Sequence, residues 1–258
     1  MKALQWFVGI VSVGIIGFLM LNSYIYQEKQ SDSPMRTATV NILPIEHATA
    51  AITWDEATFY IDPTGGAAAF EGQRPADIVL VTDIHGDHFS TSTLVSVIGS
   101  STILIVPQAV KDQLPTELAA NARVLANGQT TTEMDFDITG VPMYNLPGDS
   151  ENFHTKGRGN GYLIERDGFR VYIAGDTAGT PEMRALKDID IALVPMNLPY
   201  TMSVEEAADA VLEFRPKTVY PYHFRGQDGF SDVNQFKSLV TAGDSGIEVV
   251  IGDWYPEN

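Results

Sequence analysis

The 258-residue chain contains no cysteine. Disulfides, thiolate metal sites and a cysteine nucleophile are therefore excluded, and any metal must be held by histidine, aspartate or glutamate. Basic residues are scarce too: 16 Lys and Arg stand against 33 Asp and Glu, a formal net charge of −17. Such a surface repels phosphate backbones, and no Lys/Arg cluster offers a local exception, so no nucleic-acid partner is expected. Repeats and low-complexity tracts are also missing. What remains is 44% hydrophobic, enough to bury the core of one large α/β domain or at most two small ones.

The beginning of the chain differs from the rest. Lys2 precedes an apolar stretch from Trp6 to Leu21, followed by Asn22-Ser23-Tyr24-Ile25-Tyr26 and by polar sequence from Gln27 to Ser33. No small-residue cleavage pattern closes the run. At about 1.5 Å rise per residue, a helix from Trp6 to Tyr26 would cross a hydrocarbon core of ~30 Å. The expectation is a transmembrane anchor over residues 1–26, or a signal sequence if the segment is cleaved. A linker over 27–36 and one domain over 37–258 follow. Lys2 would stay in the cytoplasm, placing the domain outside it and making the membrane a partner; cleavage would make the protein secreted.

From Thr37 onward the pattern alternates. Thr39 to Leu43, Ala50 to Trp54 and Thr58 to Ile61 read as strands, and Asp62-Pro63-Thr64-Gly65-Gly66 as a turn. Asp77 to Thr82 reads as a buried strand running into Asp83-Ile84-His85-Gly86-Asp87-His88. Helices are expected over Thr91 to Ile98 and Val233 to Thr241, with one or two short ones within Ala109 to Ala122. Another runs from the Ser203 cap to Phe214, where Ser203-Val204-Glu205-Glu206 has capping-box spacing. Arg166-Asp167-Gly168 is a hairpin signal. Strands arrive first in hairpins and then mix with helices, which suits a layered α/β sandwich of two similar β-rich halves rather than a doubly wound parallel sheet.

The five histidines are His47, His85, His88, His154 and His223. Each closes a strand-like segment or lies in a polar loop, where ligands from different strands can converge. Asp83, His85, Asp87 and His88 place four candidate ligands within six residues. Imidazole and carboxylate together suit zinc, manganese or iron, and the clustering suits a two-metal site. Asp176, in Ala174-Gly175-Asp176-Thr177, follows an apolar strand and could bridge two cations. Taken alone it could equally be a helix cap, and His154 a surface histidine.

In their order along the chain, these motifs resemble the metallo-β-lactamase superfamily of hydrolases. The likeness covers roughly Thr37 to the C-terminus. It is greatest to the branch of the ascorbate-phosphate lactonases and N-acyl-phosphatidylethanolamine phospholipase D. The motifs concerned are Ile45-Glu46-His47 with Tyr60-Ile61-Asp62-Pro63, Tyr172 to Thr177, and Tyr200-Thr201-Met202-Ser203 with Glu205-Glu206-Ala207. The resemblance implies a four-layer αβ/βα sandwich with two half-sites at one edge of the sheets. His85 and His154 would bind a first metal, Asp87, His88 and His223 a second, and Asp176 would bridge them. One position departs from the pattern: the family's usual first histidine is Asp83 here. As a ligand it would harden the first half-site toward manganese or iron; as an outer residue it would leave that half-site weak.

The function expected is hydrolysis by a metal-bound hydroxide of an ester, lactone or phosphodiester bond in a small or lipid-derived molecule. Two divalent ions, zinc in the first instance, would serve it. Asp87 is the expected proton acceptor, with His47 and Tyr200 as catalytic candidates on the substrate side. Arg225 could meet an anionic substituent, and Asp62 could orient a ligand or only shape its turn. The alternative is a degenerate member of the fold that binds metal or ligand without turnover, for which Asp83 is the support.

Overall fold

The computed structural model describes residues 38–146 and 153–256. Two mixed sheets make up most of it. The first is ordered β1 to β6: Val40–Glu46, Thr49–Trp54, Ala57–Ile61, Ile78–Leu80, Ile103–Val106 and Arg123–Val124. The second begins with β7 (Thr130–Glu133), β8 (Phe136–Met143), β9 (Gly159–Arg166) and β10 (Phe169–Ile173). It continues through β11 (Ile191–Pro195) and β12 (Thr218–Tyr222) to β15 (Glu248–Val249) at its far edge. A small ribbon, β13 (Arg225–Gly226) with β14 (Gly229–Phe230), lies between the last two in sequence.

The two sheets repeat one plan. Each opens as an antiparallel meander, β1-β2-β3 and β7-β8-β9-β10. Each then turns parallel, β3-β4-β5-β6 and β10-β11-β12-β15. Parallel neighbours need crossovers, which the helices supply. In the first half these are α1 (Thr91–Val97), α2 (Gln108–Lys111) and α3 (Thr116–Asn121); in the second, α4 (Pro181–Arg184), α5 (Val204–Phe214) and α6 (Val233–Gly243). The αβ/βα sandwich expected from the sequence is the observed fold.

Local chemistry explains the element limits. Ser203 accepts the Glu206 N–H and starts α5, and Arg215 ends it in the left-handed region at φ 51°. Arg166-Asp167-Gly168 turns β9 into β10 with positive φ at Asp167 and Gly168, the geometry that suits a tight hairpin. Ile78, Val79 and Leu80 of β4 are all fully buried, as a central strand covered on both faces must be.

The alternation of side chains divides the first sheet's core. Ala51, Tyr60, Val79, Val81, Leu104 and Val106 pack with Leu94, Val110 and Leu114 from the helical layer. Trp54 and Phe59 point the other way, toward the second sheet. Their rings meet Phe136 edge-on at 5.1 and 5.0 Å, and Trp54 meets Phe169 at 5.4 Å. Tyr162 of β9 donates its hydroxyl to the Val81 carbonyl at 2.8 Å, a further tie between the sheets.

The membrane expectation is corrected here. No helix among the described residues is long and apolar enough to cross a membrane. The longest two, α5 and α6, have 11 residues each, a rise of about 16 Å against a hydrocarbon core of ~30 Å. The membrane is accordingly dropped as a partner, together with the signal and the placement outside the cytoplasm. The segments expected over 1–26 and 27–36 lie outside the described residues.

Trp54 is fully buried and joins the two sheets through its aromatic neighbours. Trp54→Ala is expected to cost about 3–5 kcal/mol, read as a lowered urea midpoint with an unchanged slope.

Candidate metal centre

Six of the seven candidate ligands sit where a strand ends; His154 comes from the connection between β8 and β9. Asp62 follows β3, Asp83 to His88 follow β4, Asp176 follows β10 and His223 follows β12, so the C-terminal ends of four strands feed one edge of the sandwich. Ligands in open α/β sheets gather at that edge because the strands stop there and the loops diverge. His47 joins them from the β1–β2 turn. Asp62, His223 and His47 all have positive φ (45°, 48° and 56°), a sharp reversal that swings each side chain off its strand. Gly175, at φ 66°, admits no side chain: a Cβ there would collide with Met143 and come within 3.2 Å of Thr82, so the turn that delivers Asp176 is open only to glycine.

One group of donors surrounds a single point. His88 Nε2 and His223 Nε2 are 3.1 Å apart, and Asp176 reaches them at 3.2 and 3.3 Å through its two oxygens. Asp87 adds its carboxylate 3.3 Å from His223 Nε2 and 3.9 Å from His88 Nε2. A tetrahedral cation with bonds of about 2.0–2.1 Å would set its ligand atoms about 3.3 Å apart. His88, Asp176 and His223 are each at most 3% exposed.

The protonation pattern fits a cation. The Asp62 carboxylate accepts from the Thr82 backbone N–H and hydroxyl, both at 2.6 Å, and from His88 Nδ1 at 2.8 Å. That fixes the proton on Nδ1 and turns the Nε2 lone pair toward His223. Burial alone would lower the His88 pKa, but the carboxylates of Asp176 and Asp62 push it well above the ordinary imidazole value. Burial would likewise raise the Asp176 carboxyl, yet His223 and His88 hold it well below the carboxylate range. A buried pocket that so favours positive charge at Nε2 would satisfy a divalent cation equally well. Asp176 Oδ1 is buried without a hydrogen-bond partner, as a metal-ligand oxygen would be. This half-site fits a divalent metal.

The second group is different. His85 Nδ1 lies 3.0 Å and His154 Nε2 4.0 Å from Asp83 Oδ2, and His154 Nε2 lies 3.2 Å from Asp176 Oδ2. His154 is well prepared: Asn145 Oδ1 accepts from its backbone N–H at 2.8 Å and lies 3.1 Å from its Nδ1, leaving the buried Nε2 to face the Asp176 carboxylate. Asp83, however, is already engaged. Arg158 meets it with two parallel bonds, Nε to Oδ1 at 3.0 Å and Nη2 to Oδ2 at 2.7 Å. The donors converge, but one of them faces a guanidinium.

Around this floor is a cavity of about 260 Å³ walled by Phe153, Asn197, Tyr200 and Arg225. His47 borders it as well. Its Nε2 is 3.2 Å from Asp87 Oδ2, its Nδ1 is 2.6 Å from the Tyr255 hydroxyl, and its ring lies 3.8 Å from that of His223. Burial lowers the His47 pKa, so the ring is neutral at pH 7. Tyr200 is on the wall, against Phe153 at 4.9 Å, and its carbonyl accepts from Asn145 Nδ2.

All seven residues singled out as ligands in the sequence therefore meet in one place, with His47 and Tyr200 beside them. Asp62 orients the His88 ring as well as shaping its turn. Sequence reasoning missed Asn145, Arg158 and Tyr255. Arg158 left a faint signal, a cation between two glycines in Gly157-Arg158-Gly159. Asn145 and Tyr255 left none.

The model of the beta-lactamase superfamily domain matches residues 41–223. A UPF0173 metal-dependent hydrolase of Thermococcus onnurineus is 34% identical over 196 residues, which is 70% of this chain and 83% of that protein. Its counterpart in Pyrococcus abyssi is 30% identical over 207 residues, 74% and 87% of the two chains. Among solved structures, one from Parabacteroides distasonis, described as a metal-dependent hydrolase, superposes with a TM-score of 0.74 at 37% identity, covering 84% of this chain and 94% of that one. Igni18, a metallo hydrolase of Ignicoccus hospitalis, shares the fold with a TM-score of 0.69 at 22% identity, covering 82% and 94%.

Asp62→Asn removes the charge behind His88 while keeping its size. Metal affinity is expected to fall about ten- to hundredfold with an unchanged circular dichroism spectrum, as read by titration against a chromophoric chelator.

Proposed function

The chain belongs to the metallo-β-lactamase superfamily and is a metal-dependent hydrolase, and from that premise we propose that it cleaves an ester, lactone or phosphodiester bond in a small molecule held over the His88–Asp176–His223 centre. The observation that carries the reading is that buried set of donors, spaced at 3.1 to 3.3 Å and opening into the cavity. His88, His223, Asp176 and Asp87 would hold the principal cation. Bound there, a divalent metal supplies the acidity that makes water a nucleophile near neutral pH and the charge that stabilises a developing oxyanion.

The protein's own groups handle the rest. Burial would raise the Asp87 carboxyl, but hydrogen bonds from His223 and His47 hold it well below the carboxylate range. Asp87 therefore serves first as an ionised ligand that orients the attacking water, and it keeps an incoming proton only briefly. His47, neutral and 3.2 Å away, donates its Nε2–H to that carboxylate while its Nδ1 accepts from the Tyr255 hydroxyl, so it keeps Asp87 ionised and aimed for the proton it receives. The Tyr255 hydroxyl also accepts from the Arg225 backbone N–H at 3.0 Å, and burial pushes its pKa up to about 12, so it remains a hydroxyl throughout.

Phe153 and Tyr200 supply an apolar wall, and Arg225 is the cationic side chain bordering the cavity. In a molecule of net charge −17, that guanidinium supports a substrate with an anionic substituent. A cavity of about 260 Å³ favours a small molecule over a long lipid chain.

Metal analysis of the purified protein, run beside activity on a panel of esters, lactones and phosphodiesters, tests this reading. His88→Ala is expected to lose the bound metal and nearly all activity; full retention of both would overturn the proposal. His47→Ala is expected to keep the metal and lose about a hundredfold in kcat, which separates proton handling from metal binding.

A further inference from the structure

Asp83 stands where the family's usual ligand is a neutral histidine, and the structure shows what accompanies the exchange. Asp83 is fully buried, and Arg158 covers both of its oxygens. Gly159 makes this possible. A Cβ there would lie 2.7 Å from the Thr82 carbonyl and 3.2 Å from Asp83 Oδ1, so only a bare glycine lets the start of β9 lie against the loop and aim Arg158 at Asp83. The guanidinium also extends to His85: Nη2 lies 3.4 Å from its Nε2.

Both contacts work against a cation in this half-site. Arg158 draws on the Asp83 charge that a cation would use. It also donates toward His85 Nε2. A neutral imidazole that accepts at Nε2 carries its proton on Nδ1, and Nδ1 is the nitrogen 3.0 Å from Asp83 Oδ2, facing the point where the donors converge. The lone pair a metal would need is then replaced by an N–H. A cation on Asp83 Oδ2 would in addition lie within about 5 Å of a fixed guanidinium, given metal–oxygen bonds of about 2.1 Å.

An opposing view makes Arg158 an outer partner that steadies Asp83 as a ligand, as Asp62 steadies His88. Magnitudes decide between them. Loss of an orienting partner typically changes metal affinity ten- to hundredfold. Repulsion between a single and a double positive charge about 5 Å apart weakens binding by about tenfold even with water-like screening, and by far more at the screening typical of a partly buried site. The Arg158 side chain is 20% exposed, so repulsion wins. Among the described residues no guanidinium bonds a carboxylate of the opposite half-site, where His88 is backed by Asp62.

We propose that this protein is a one-cation hydrolase, in which the Asp83–Arg158 pair closes the first half-site and leaves the Arg158 guanidinium as the fixed positive charge beside a single metal at His88, Asp176, His223 and Asp87. The proposal rests on the hydrolase reading above and concerns how many metals that centre takes. His85 and His154 become walls of the cavity rather than ligands, and the departure at Asp83 is a change in metal number rather than a loss of function.

The test counts cations instead of measuring turnover. Metal-stripped protein is titrated with zinc, with native mass spectrometry for stoichiometry and a competing chromophoric chelator for affinity. The wild type is expected to take one equivalent tightly and any second at least tenfold more weakly. Arg158→Gln should tighten the second equivalent at least tenfold. The double substitution Asp83→His with Arg158→Gln, which removes the buried charge along with its partner, should take two. Two equally tight equivalents in the wild type would overturn the inference and leave the hydrolase reading standing. So would a second site weakened by Arg158→Gln, or a double variant that still holds one. A wild type that binds no zinc would overturn both.

Discussion

The Asp62 carboxylate is the point on which the site depends. It lies where β3 ends and accepts from the backbone and hydroxyl of Thr82, where β4 has just ended, and from His88 six residues further on. Three donors on one fully buried carboxylate make its position costly to change, since an unmet charge there would forfeit its desolvation without return. The same contacts bind two neighbouring strands at their ends, fix the proton on His88 Nδ1 and aim Nε2 at His223. Fold and site share one interaction: the register of the first sheet delivers His88, and the partner of His88 pins the register.

The doubled plan of the sheets accounts for the rest of the geometry. Each half supplies strand ends to the same edge. The first contributes Asp83 to His88 through β4, and the second contributes Asp176 and His223 through β10 and β12. Trp54, Phe59 and Phe136 hold the halves face to face, so an error in their packing would displace two half-shells of ligands relative to one another. Packed interiors resist such sliding, because a shift of even one methylene's width is felt throughout.

Much of this was legible in the sequence because the relevant signals are local. A buried run ending in clustered His and Asp, an apolar strand ending in Gly-Asp-Thr, and Ser203 three residues before Glu206 each state their role within a few positions. The layered sandwich and five of the seven ligand candidates followed from such signals, while His154 and His223 joined the set through the family resemblance. Partners that act across the fold were not legible. Arg158 meets Asp83 from 75 positions away and Tyr255 meets His47 from 208 away, and even Asn145, nine positions from His154, carries no motif that announces the contact. Beyond the two glycines that flank Arg158, nothing in their neighbours marks them, since what selects them is the shape of the assembled edge. The apolar run from Trp6 to Leu21 spoke for a membrane by its composition alone; no helix among the described residues is long and apolar enough to cross one, and the run itself lies outside them.

The contact between His47 and Tyr255 also has a meaning in time. His47 leaves the ribosome among the early residues of the domain, and its hydroxyl partner follows 208 positions later. At typical synthesis rates of 5–20 residues per second, that interval is about 10 to 40 s. For that period the first sheet can form, and the Asp62–Thr82–His88 node can close, while the wall beside His47 is still missing. Through the first part of that interval the node stands without Asp176 and His223, the donors that face His88 in the finished fold. The donor group itself is complete only once His223, 135 positions after His88, has joined it.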